Sequence, residues 1–280
     1  MFDWNALLNV IFTWKYLFFL LFSVAGWIIL ARNRPMRPAR LITQLLAFLL
    51  LGGVLGLIFT ALQKPFGLHP SPMCATTKGI AIPIIYNKIA MPQLGLVLAA
   101  LLLTIVGAKA FCGWVCPVGA IQELVGRIPG LKRFRVPFSV SNTIRVLLFA
   151  LFIALVIAIK RISYDYFNPF EFLHWHGLGK LAIWGPMTLV LLASFFIYRP
   201  FCSFICPLGL ITWVAELVAP GRIRVSHACD NCGACVEKTD CQAMPALVAG
   251  KKVIPDCFGC GDCLGTCPTD AISFGWRKKD

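Results

Sequence analysis

The sequence predicts an α-helical membrane domain of about five spans, arranged as two repeated hairpins and followed by a small α+β domain. Three observations predict it: long apolar runs with few charges, a nine-residue motif that returns ninety residues later, and eight cysteines at tight spacing in the last fifth of the chain. Only 14% of the 280 residues are charged, against about 25% in ordinary soluble domains. Mean hydropathy is +0.79. A membrane is therefore the first environment to consider.

Crossing a bilayer takes roughly 17–25 apolar residues, and five runs qualify, at about 10–31, 41–62, 93–111, 142–160 and 181–198. Met1-Phe2-Asp3-Trp4 lacks the basic leader and small-residue cleavage site of a secretory signal, so the first run reads as a retained helix. The net charge of +14 belongs to this apolar part. Residues 1–224 hold 20 Lys and Arg against 5 Asp and Glu, while residues 225–280 hold 6 against 7. Such charge flanks spans and faces lipid headgroups, so no nucleic-acid partner is expected. Twelve loop cations, Arg40, Lys109 and Arg199 among them, fall on one side and six on the other. The richer side reads as cytoplasmic, with the N-terminus outside and the C-terminus inside.

The motif Phe111-Cys112-Gly113-Trp114-Val115-Cys116-Pro117-Val118-Gly119 returns as Phe201-Cys202-Ser203-Phe204-Ile205-Cys206-Pro207-Leu208-Gly209. Each copy ends a hairpin, and two spans separate them, so both emerge on one membrane face together with the tail. Proline disfavours helix in the residue before it and suits the first helical turn. Cys116 and Cys206 should therefore precede helices starting at Pro117 and Pro207, amphipathic enough to lie along the membrane surface. A helix N-terminus lowers thiol pKa values. Three readings of Cys112, Cys116, Cys202 and Cys206 stand: a shared metal or iron–sulfur centre across a pseudo-twofold axis, redox-active thiols, or inert buried cysteines.

The tail reads Cys229-x2-Cys232-x2-Cys235-x5-Cys241 and Cys257-x2-Cys260-x2-Cys263-x3-Cys267-Pro268. The second run matches the bacterial two-cluster ferredoxin pattern, whose fourth cysteine serves the other cluster. On that logic Cys229, Cys232, Cys235 and Cys267 hold one [4Fe–4S] cluster, and Cys257, Cys260, Cys263 and Cys241 hold the second. The first run departs from the pattern, with five residues before Cys241 and Gln242 in place of proline. A structural zinc pair would instead favour two Cys-x2-Cys pairs with a longer gap. The division is thus residues 1–40, a first span and basic loop; 41–224, the repeated hairpins; and 225–280, an α+β domain of bacterial 2[4Fe–4S] ferredoxin type.

Two Cys-x3-Cys-Pro motifs behind membrane hairpins, followed by a two-cluster tail, resemble the NapH/MauN/NosR-type family of membrane ferredoxin-like proteins, with NapH-like quinol dehydrogenase components nearest. The resemblance covers about residues 41–280. It implies multi-pass residence in the inner membrane and electron transfer from the quinone pool towards a periplasmic or respiratory reductase, with partner iron–sulfur proteins or cytochromes. A different reading makes the chain an electron donor for metal reduction or for maturation of another enzyme. His69, His174, His176 and His227 all fall outside the expected spans, which leaves bis-histidine haem unsupported and favours quinol chemistry beside the cysteine motifs. The loop holding Tyr164, Asp165, Tyr166, Asn168, Glu171, His174, Trp175 and His176 faces His69 and Cys74, and reads as an interfacial aromatic belt or as a set of proton acceptors. Cys74 has no assigned role.

Overall fold

A computed structural model describes residues 14–33, 37–50, 72–128, 134–162, 181–251 and 254–276. Helix α1 (Trp14–Ala31) comes first, and the helices of the first repeat and its connection are α2 (Arg37–Phe48), α3 (Pro72–Tyr86), α4 (Met91–Gly107), α5 (Ala110–Trp114) and α6 (Pro117–Gly126). Those of the second are α7 (Phe138–Ile159), α8 (Leu181–Phe196), α9 (Pro200–Phe204) and α10 (Pro207–Val218). The tail adds β1 (Gly221–Val225), α11 (Ala234–Lys238), α12 (Met244–Val248) and β2 (Ile272–Trp276).

Among the described residues one helix, α7, is long and apolar enough to cross a membrane, and little of it is buried. Shorter apolar helices cover parts of the expected spans at 10–31, 93–111 and 181–198. Their outward faces are apolar at helical spacing: Leu17, Leu21, Val24 and Ile28 on α1; Leu94, Leu98 and Leu102 on α4; Leu189, Leu192 and Phe196 on α8 are all exposed. Polar side chains point inward instead, with Arg40, Gln44, Ser141 and Arg145 fully buried. The ends of the first two expected spans, at 10–13 and 51–62, lie outside the described residues.

Helix α3 corrects the sequence reading, which placed Cys74 in a loop. Pro72, Thr76, Thr77, Gly79 and Pro83 disguise the segment, yet Pro72 opens the helix, and Thr77 turns its hydroxyl back onto the Met73 carbonyl at 3.2 Å. Residues Met73–Thr77 are all buried, Cys74 included. Helix α4 also stops earlier than expected, at Gly107, because Ala108 and Lys109 both take left-handed backbone angles.

The repeats are interlocked. Helix α6 of the first packs on α8 of the second, and α10 of the second packs on α4 of the first. In the tail, β1 and β2 pair antiparallel with Ile223 opposite Phe274, so the strand begins at Gly221, ahead of the expected boundary at 225. Ile223, Met244, Leu264, Ile272 and Phe274 form the tail's core, and Leu30 of α1 and Ala108 join it.

Candidate iron–sulfur site

Each Cys-x3-Cys-Pro motif folds the same way. Lys109 and Arg199, at φ 57° and 49°, turn the chain into the short helices α5 and α9 that carry Cys112 and Cys202. Cys116 and Cys206 then cap α6 and α10 in extended conformation, at φ −61°, ψ 114° and φ −65°, ψ 114°, with proline next as expected. The Cys206 Sγ accepts from the Gly209 amide at 3.4 Å.

The interlocked packing brings the four hairpin cysteines into one cluster with Val118, Phe201 and Leu208 at its edges, close enough for their charges to interact. Burial pushes the Cys116 thiol up to about 12 and moves Cys206 the same way, against the lowering expected from a helix start. Desolvation outweighs the helix end here, so these thiols are held protonated unless a metal displaces the proton.

In the tail, Cys241 neighbours Cys257, Cys260 and Cys263, while Cys235 neighbours Cys229 and Cys267. Cys232 is exposed and the others are buried or nearly so. The two residues lengthening the first run place Lys238, Thr239 and Asp240 along a cavity of about 220 Å³ beside Cys241 and Cys260. Arg135 holds this loop by donating to the carbonyls of Val236 and Thr239. Among the described residues no three Cys, His, Asp or Glu side chains are placed to hold a single ion. All-thiol donors grouped in this way fit iron–sulfur clusters.

Tail and hairpins meet beside the first motif, at Gly113 and Trp114. A Cβ on Gly113 would collide with the Phe258 carbonyl and the backbone of Cys260, so only glycine allows the approach. Gly259, at φ +56°, presses equally closely on the Ala108 carbonyl, and the Trp114 indole donates to the Gly259 carbonyl at 2.9 Å. Phe258 is buried in the same cluster as Cys202.

Sequence reasoning missed the charges around the site. Arg40, Lys109 and Arg199, counted above as headgroup-facing cations, are fully buried in ion pairs, so the charge asymmetry that orients the chain is weaker than it looked. Glu123 accepts from Arg40, from Arg199 at 2.6 Å and from Arg127 at 2.6 Å. Burial pushes its carboxyl up, but Arg199 and Arg40 more than offset this and hold it at about 2. The Gly113 carbonyl accepts from Gln44 at 2.8 Å and Arg40 at 3.2 Å, and the Cys112 carbonyl from Arg199 at 2.6 Å. The available signal was Glu123 itself, a rare acid in a basic apolar chain. His69 and the Tyr164–His176 loop, with Glu171, lie outside the described residues, and His227 is exposed in the tail.

A family model described as a 4Fe-4S binding domain matches residues 90–137 and 182–225. Those stretches carry Cys112, Cys116, Cys202 and Cys206 and stop short of the tail cysteines. YccM of Escherichia coli (strain K12), named for electron transport, is 30% identical over 207 residues, 65% of this chain and 56% of YccM. The ferredoxin-type protein NapH of Haemophilus influenzae is 24% identical over 204 residues, 67% of this chain and 69% of NapH. The methylamine utilization ferredoxin-type protein MauN of Paracoccus denitrificans is 30% identical over 156 residues, 52% of this chain and 54% of MauN. The chain thus spans little more than half of YccM and MauN. No solved structure matches it.

Proposed function

We infer that the chain belongs to the NapH/MauN-like family of ferredoxin-type proteins, and from that premise that it is a membrane-bound iron–sulfur electron-transfer protein, taking electrons from quinol and passing them to a redox chain that serves a respiratory or periplasmic reductase. The observation that carries the reading is the close backbone contact between the first hairpin motif and the second cysteine loop of the tail, at Gly113 and Cys260. Cys229, Cys232, Cys235 and Cys267 would hold one [4Fe–4S] cluster, and Cys241, Cys257, Cys260 and Cys263 a second. Cys112, Cys116, Cys202 and Cys206 would hold a further centre. Bound there, clusters supply one-electron oxidation and reduction.

The protein's own residues do the rest. Gly113 and Gly259 let the two backbones touch, Trp114 pins the loop, and the buried arginines fix the motif carbonyls. The exposed apolar faces of α1, α4, α7 and α8 suit a lipid environment, which supports multi-pass residence in the inner membrane. On this reading the cysteine motifs and the tail face the cytoplasm, the N-terminus lies outside, and quinol reacts on the cytoplasmic side. Exposed Cys232 suits exchange with a partner iron–sulfur protein or cytochrome.

Anaerobically purified protein given menaquinol or ubiquinol should lose its iron–sulfur absorbance, and no bleaching by either rejects quinol as donor. Replacing Cys112, Cys116, Cys202 and Cys206 together by Ser should lower iron per chain while the tail's iron remains. Unchanged iron rejects the hairpin centre.

A further inference from the structure

The motif cations sit in two matching sets. In the first repeat, Arg40 from α2 reaches the Gly113 carbonyl, Arg199 crosses from the other motif to the Cys112 carbonyl, and Glu123 neutralises both. In the second, Arg145 from α7 reaches towards the Cys202 carbonyl at 3.4 Å, and Lys109 crosses from the other motif towards the Gly209 carbonyl at 3.4 Å. Glu123 follows Cys116 by seven residues, but the residue seven after Cys206 is Trp213. The second repeat therefore has no acid at the matching place.

The missing carboxylate comes from the tail. Asp256 pairs with Arg145 at 2.8 Å and with Lys109. Both cations are wholly buried and Asp256 is 5% exposed. Glu216, 3.5 Å from the Lys109 Nζ, is the other acid facing that ammonium. Trp213, standing where the acid would be, donates its indole N–H to the Ile254 carbonyl at 3.1 Å and so holds the segment that delivers Asp256. Phe258, two residues on, lies under the Arg199 guanidinium at 5.0 Å from its ring centre.

We propose that Asp256 is the positional counterpart of Glu123, supplied by the tail, so that the four-thiol hairpin site is complete only when the ferredoxin-like domain is docked. The tail is on this account a fixed wall of that site and not a tethered shuttle. A buried cation left without its carboxylate is strongly unfavourable, which makes docking and assembly of the second motif a single event. The functional meaning rests on the hairpin thiols holding a centre; the docking itself does not.

The test is hydrogen exchange on the full chain in lipid nanodiscs. Asp256→Asn should speed exchange in residues 108–114 and 256–260 by roughly a hundredfold, whereas Glu237→Gln on the exposed tail surface should change neither. Adding Lys109→Met to Asp256→Asn removes one of the two cations that Asp256 had faced, the one still shared with Glu216, and should recover at least roughly tenfold of the protection. Wild-type protection in Asp256→Asn, or a double variant no better than the single, overturns the proposal. If Asp256→Asn alone fails to accumulate, the Lys109→Met/Asp256→Asn chain should accumulate where it does not, and failure of both to differ likewise overturns it. Exchange is read without reference to iron, so this outcome and that of the iron measurement above are separable.

Discussion

Replacing Glu123 by Gln tests whether the first ion set holds the motif together. The substitution keeps the shape and leaves the wholly buried Arg199 facing a neutral amide, while Arg40 keeps only the Asp262 carboxylate at 2.6 Å. Breaking a buried pair by removing one partner costs about 3–5 kcal/mol. The carboxyl's drop from an ordinary 4.5 to about 2, at about 1.4 kcal/mol per tenfold change in proton affinity, gives about 3 kcal/mol independently. The two routes agree, and about 3 kcal/mol corresponds to a fall of roughly 6–12 °C in melting midpoint for a chain of this size. Because the folded carboxyl titrates below the unfolded one, its contribution is complete above about pH 4.5 and is lost as pH falls towards 2. Melting in detergent between pH 3 and pH 7 should therefore show wild type losing stability below about pH 4.5, and the variant losing less over the same window. A variant that melts within about 1 °C of wild type at pH 7 refutes the reasoning.

Other perturbations follow from the same contacts. Gly113→Ala puts a Cβ against the Phe258 carbonyl and Cys260 backbone, and limited proteolysis should then release the tail faster than from wild type. Met244→Ala opens a cavity in the tail core, should cost about 2–5 kcal/mol, and should lower the temperature at which the tail's iron–sulfur signal disappears without removing the iron assigned to the hairpins.

The parts of the fold governed by local stereochemistry were legible in the sequence. Pro117 and Pro207 announce the helices after the motifs, and the repeated motif marks two segments that fold alike. Helix α3 was not legible, since its prolines and threonines are loop formers by composition and only burial between α4, α7 and α10 makes them helical. The ion sets were not legible either. An arginine at the end of an apolar run looks the same in sequence whether it faces headgroups, as Arg40 was read to do, or a carboxylate 83 positions away. Pairings such as Lys109 with Asp256 arise from the interlocking of the repeats, which no local pattern encodes.

That interlocking means that neither half walls its own motif: α6 rests on the second half and α10 on the first. The two halves are not equivalent there, since position 213 is a tryptophan where position 123 is a glutamate. Glu216 of the second half and Asp256 of the tail together face Lys109, so a third segment of the chain joins what two halves would otherwise share between them.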